Sequence, residues 1–148
     1  MSTKPEEKKR LSLKDFYFAE KNKTGSQMPI IMPGGEDSGE WLQVRGPDCN
    51  ESINAKRAYY RAIGALNDEL EELKKRSEET KNFLEYNILN VDGMKQLNID
   101  LACEIVTGWS MEDEFSIDAL VELLKQFPSL TDQISEYHES CRDKLYAK

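Results

Sequence analysis

The chain reads as mainly α, a helical domain with a small N-terminal β-hairpin. Three observations predict this. From Ile53 onward, Tyr59, Ile63, Leu66, Leu70 and Leu73 recur at steps of four, three, four and three, which is one apolar seam on an amphipathic helix. Before that point, two short runs of branched and aromatic residues flank a glycine loop, as a hairpin requires. The length, 148 residues, suits one domain with a modest core.

The elements follow in order. Residues 1–10 are rich in lysine and glutamate without apolar periodicity, and we expect a disordered tail there. Residues 11–148 are expected to form the single domain. Residues 11–19 suit a strand or an irregular apron, and Lys21 to Gln27 a polar turn. The hairpin is placed at about 28–46. Its first strand carries Pro29, which cannot donate to a ladder and so marks an edge. Gly34 to Gly39 forms the loop, and the second strand, with Trp41, ends at Gly46-Pro47.

Helices are expected over about 52–148. Asp48, Asn50 and Ser52 are each able to cap the first of them. Residues 77–92 cluster Phe83, Leu84, Tyr86, Ile88, Leu89 and Val91 without clean periodicity, so the first helix either runs to about Asn90 or breaks near Ser77. Asp92-Gly93 reads as a turn. A helix from Met94 is expected to stop at Gly108, with Trp109 folding back at the corner. Ser116 suits the N-cap of a helix that buries Leu120, Val121, Leu124 and Phe127 and ends near Pro128. Ser129 or Thr131 caps a last helix, whose seam is Leu130, Ile134, Tyr137, Cys141 and Leu145.

Composition excludes several classes. The net charge is −8, and from Ile99 onward 11 acidic residues face four basic ones, against the basic face usual in a DNA-binding protein. Cys49, Cys103 and Cys141 are widely spaced and form no CxxC pair, so a structural zinc site is not expected and a reducing compartment is. No run approaches the roughly 20 apolar residues that span a bilayer. His138 is the single histidine and sits beside the apolar seam, where a surface position is expected. No nucleophile, acid–base pair, metal set or phosphate loop is marked, so neither an enzyme nor a cofactor site is expected. Two tryptophans stand out. Trp41 suits packing of the hairpin on the helices, and Trp109 suits either corner packing or partner contact.

Two stretches resemble one family. Ser38-Gly39-Glu40-Trp41-Leu42-Gln43-Val44-Arg45-Gly46-Pro47-Asp48 resembles the hairpin segment of tail assembly chaperones from long-tailed bacteriophages of the siphovirus, lambda-like type. Val106-Thr107-Gly108-Trp109 with Phe115-Ser116, then Ala119 to Pro128, resembles the same family's C-terminal pattern, in the same order. The resemblance covers about residues 26–62 and 98–135 and lapses between Arg76 and Met94. It implies a non-enzymatic protein of the host cell cytoplasm, absent from the finished virion. Such a protein binds the tape measure protein, keeps it soluble and brings tail tube protein subunits to it. No nucleic-acid or membrane partner is expected, and the Tyr59–Leu73 seam leaves self-association open. Trp109, Phe115, Trp41 and Arg45 are the candidate partner-binding residues. The alternative readings are a structural virion component, such as a head–tail connector or minor tail protein, and an acidic regulator that mimics nucleic acid.

Overall fold

A computed structural model describes residues 10–146, with side chains as far as Cys141. The expected tail at residues 1–10 therefore lies outside the described residues except for Arg10, and the Leu145 end of the last seam lies outside the described side chains. A single 3-10 turn (Leu13–Phe16) leads into α1 (Ala19–Thr24). The hairpin is β1 (Ser26–Ile31) and β2 (Asp37–Val44). Then come α2 (Asn50–Thr80), α3 (Leu84–Ile105), a short β3 (Val106–Trp109), α4 (Ile117–Gln126) and α5 (Ser129–Tyr146). The fold class is the one expected, helices around a small antiparallel sheet near the N-terminus.

The sheet has three strands in the order β1-β2-β3. Met28 pairs with Leu42, and Leu42 pairs with Trp109 on its other side. Alternation along the strands turns Met28, Ile30, Leu42 and Val44 to one face, and all four are buried. Ile99, Ala102 and Ile105 of α3, Leu120 and Leu124 of α4, and Leu130 and Ile134 of α5 complete this core. Pro29 sits in β1 at the sheet edge, as expected. The Gln133 side chain of α5 covers that edge, accepting from Ile31 N at 3.0 Å and donating to Ile31 O at 2.9 Å. It satisfies both backbone groups that a further strand would otherwise pair.

Between β2 and β3 the chain makes a long excursion, the antiparallel pair α2–α3. The excursion leaves and returns at one point: Val44 pairs with Val106, and Arg45 N donates to Ile105 O at 2.8 Å. The Tyr59–Leu73 seam faces α3 of the same chain. Leu66 and Leu70 are buried, and the Tyr59 hydroxyl donates to Asn98 Oδ1 at 2.8 Å. α4 and α5 meet α3 around Lys95, Asn98 and Ile99. Farther out, α2 and α3 pack chiefly on each other, and the pair projects as an arm. At 1.5 Å per residue the 31 residues of α2 span about 46 Å.

Several local expectations are corrected. The helix does not run to Gly108. α3 ends at Ile105, and Val106–Trp109 is a strand, because branched Val106 and Thr107 complete the open ladder of β2. Gly108 is not in the left-handed region, which is held by Gly25, Gly35, Gly39 and Lys81. Asp92-Gly93 is not a turn but lies inside α3. A Cβ on Gly93 would stand 2.7 Å from Leu66 Cδ1, so the glycine lets the two helices approach closely. The break falls at Lys81 (φ 57°), whose N–H returns to Ser77 O, and Asn82 Oδ1 accepts from Leu84 N at 3.0 Å to start α3. Lys21 to Thr24 is helical rather than a turn, and Gly25 (φ 72°) closes that helix. The N-cap of α2 is Cys49, without a side-chain cap, because Ser52 bonds backward to the preceding turn. Ser116 caps α4 as expected, accepting from Ala119 N at 3.1 Å.

Candidate functional site

Arg45-Gly46-Pro47-Asp48, the turn after the Trp41 strand, is tied from three sides. Gly46 N donates to Asn22 O at 2.8 Å, and Asp48 N donates to Asn22 Oδ1 at 3.0 Å. The Ser52 hydroxyl donates to Gly46 O at 2.7 Å, and Cys49 Sγ lies 3.2 Å from Ser52 Oγ. Arg45 O accepts from His138 Nδ1 at 2.6 Å. Asn22, Ser52 and His138 are all buried, and His138 is 2% exposed. The expected surface position of His138 is therefore wrong: α5 turns this residue inward to satisfy the Arg45 carbonyl. Burial holds its pKa below the ordinary imidazole value, against the raising effect of the bond to Arg45. The bond to the Arg45 carbonyl requires a proton on Nδ1, and Nε2 has no hydrogen-bond partner. Arg45 Nε is likewise buried and unpartnered. The turn is a latch that joins α1, α2 and α5 to the end of β2.

The second motif builds a packed corner. Trp109 stands opposite Leu42 and so faces the core side of the sheet. Its Nε1–H donates to Asp113 O at 2.7 Å, and its ring meets Phe115 edge to face, with centroids 4.9 Å apart and planes at 84°. Both rings are half-buried against the core. Ser110 closes the corner onto β2: its N–H donates to Trp41 O at 3.0 Å, and its hydroxyl accepts from Trp41 N at 2.8 Å and donates to the Glu40 carboxylate. Trp41 alternates with Leu42 and points to the outer face beside Pro29, so it is Leu42 that joins the hairpin to the helices. The structure thus brings Trp109 and Phe115 together, leaves Trp41 on the opposite face, and locks Arg45 at the end of the strand. The four candidates do not share one surface.

A different surface is exposed. On the outer part of the arm, Leu84, Ile88 and Val91 of α3 are 62%, 51% and 66% exposed. They stand at i, i+4 and i+7, on one stripe of the helix. Tyr86, Leu89 and Gly93 are half-buried on the stripe that faces α2. Two interleaved apolar stripes explain why residues 77–92 showed no clean period. The signal for this surface was there, as more apolar residues than a single buried face needs. An open groove of about 480 Å³ also runs between β1 and α5, past Met28, Pro29, Gln133 and Tyr137.

A family model described as phage tail assembly chaperone matches residues 28–144. The chain belongs to this family. No curated protein and no solved structure matches it. The family match takes in the latch, the Trp109 corner and the whole arm, including residues 76–94, where the motif resemblance lapsed. In this tail assembly chaperone the two motifs pack and bond within the fold, and one exposed apolar stripe lies on the outer part of α3. Among the described residues no helix is long and apolar enough to cross a membrane, and no group of three or more His, Cys, Asp or Glu residues suits a metal ion.

Proposed function

We propose that this chain acts during tail assembly of a long-tailed phage by binding the tape measure protein, keeping it soluble and bringing tail tube subunits to it. The family match over residues 28–144 carries this reading. The physical chemistry supports it. A tape measure protein displays long amphipathic helices before the tube encloses them, and such faces aggregate unless they are covered. A helical arm with an exposed apolar stripe offers cover, and a net charge of −8 keeps the complex soluble. On this reading the protein is not an enzyme, works in the host cytoplasm and leaves before the virion is complete.

Co-expression with the tape measure protein of the same phage tests the proposal. The tape measure protein is expected to become soluble and to co-purify with this chain. Absence of both effects would reject the reading. Mass spectrometry of purified particles is expected to find no trace of the chain, and finding it in stoichiometric amount would make it a virion component instead.

A further inference from the structure

We propose that the face of α2 turned away from α3 is a self-association surface, on which a second copy of this chain packs antiparallel about a two-fold axis at Gly64. The inference goes beyond the chaperone reading and does not rest on it. The Tyr59–Leu73 seam is packed on α3 of the same chain, so pairing of copies through α2 falls to the opposite face. Gly64 is the first observation. It stands near the middle of a 31-residue helix, where glycine weakens the helix relative to alanine. It is exposed, and a Cβ built there would meet nothing within 4 Å, so no contact within the chain explains it. Bare backbone on an outer face lets another helix approach closely. Arg57 and Glu71 stand seven residues to either side of Gly64, on the same stripe, and both are exposed. Tyr60 and Ile53, on that side of the helix, are 67% and 41% exposed.

The order of charges selects the occupant. Ser52–Asn67 carries Lys56, Arg57 and Arg61 and no acid, whereas Asp68–Glu72 carries four acids and no base. In an antiparallel pair centred on Gly64, Arg57 of each copy faces Glu71 of the other, Lys56 faces Glu72, and Tyr60 faces Asp68. From Asn50 to Glu78 this register sets no charge opposite a like charge, and the basic Lys74, Lys75 and Arg76 fall opposite the uncharged Asn54, Ile53 and Ser52. Among the described residues Arg57, Arg61, Asp68, Glu71 and Glu72 form no ion pair, and Lys56 is held by Glu139 of α5 at 3.1 Å. A parallel copy would set each charge against itself. A helix that is acidic or basic throughout would match one half of the face and repel the other. A second copy, inverted end to end, satisfies both halves.

Sedimentation equilibrium of the full chain tests the proposal. One pair of helices is a small interface, so the series runs from about 10 μM to about 1 mM. The chain is expected to dimerise, more weakly at about 0.5 M salt than at about 0.05 M. Arg57→Glu and Glu71→Arg are each expected to weaken the dimer about tenfold, since each sets two like pairs face to face. Arg57→Glu/Glu71→Arg is expected to restore it, because the exchanged charges again meet opposites. An equimolar mixture of the two single variants is expected to dimerise as the parent does, one variant pairing with the other. Gly64→Leu is expected to weaken the dimer at least about tenfold by holding the helices apart, while raising the urea midpoint of the monomer. Ile88→Asp, on the outer stripe of α3, is expected to leave the dimer unchanged. Circular dichroism confirms that each variant folds. A chain that stays monomeric over the whole range overturns the proposal. A dimer that Ile88→Asp dissolves and Gly64→Leu leaves intact overturns it too, as does a double variant that dimerises no better than the single ones.

Discussion

Gly25 shows how one residue fixes the entry to the sheet. Its φ is 72°, and a Cβ built there would lie 1.8 Å from Val44 O, a backbone atom that cannot yield. Gly25→Ala is expected to cost about 3 kcal/mol or more, read as a fall in the urea midpoint. His138 carries a second prediction. Its folded pKa is depressed below 6.5 by burial, with Lys56 adding to the depression and Arg45 O and Glu139 opposing it. Between 6.5 and that lower value the unfolded chain binds more protons than the folded one. Stability is therefore full above about 6.5, falls as pH drops through this window, and levels off below the folded pKa. Melting curves between pH 7.5 and 5.5 are expected to show the fall, and His138→Gln is expected to flatten it. Neither role was visible along the chain. The His138 position beside a seam looked like surface because the acceptor that draws it inward, Arg45 O, lies 93 residues earlier.

At the scale of elements, the legible parts were those with a single face to bury. The α2 seam, the Ser116 cap and the hairpin could be read because each has one period or one local bond to announce it. β3 could not, since four residues carry no period and their strand character comes from the vacant ladder of β2. The outer half of α3 was obscured for the opposite reason, having two apolar stripes where a pattern expects one. The motif residues were legible as a family signature, and the structure places them at the corner, the latch and the outer face of β2. Trp109 and Phe115 pack edge to face at the corner, and the Arg45 backbone carries the bonds of the latch. Between α2 and α3, Lys81 holds a left-handed conformation that a residue with a Cβ adopts at a cost. Lys81→Gly is expected to stabilise the protein by about 0.5–1 kcal/mol, since relief of strain exceeds the added flexibility of the unfolded chain. Urea unfolding of the pair of proteins checks this.

The whole molecule divides into a packed base and a projecting arm. The base holds the sheet, α1, α4, α5 and the inner end of α3, with fully buried Leu42, Leu120, Leu124, Leu130 and Ile134. Among the described residues the outer part of the arm has two layers of helix and no third. Native-state hydrogen exchange is expected to be slowest for amides of β2 and the inner end of α3, and markedly faster from Leu73 to Val91. Uniform protection along both helices would count against an arm that opens separately. The point where the excursion leaves and rejoins the sheet carries a consequence of another kind. Because Arg45 and Ile105 are bonded to each other, the sheet fixes where the arm starts and finishes but not its extent. Turns removed in matched numbers from the far ends of α2 and α3 would leave every strand pairing intact. The reach of the molecule is thus a length to which whole helical turns can be added, or from which they can be taken, while the base remains as it is.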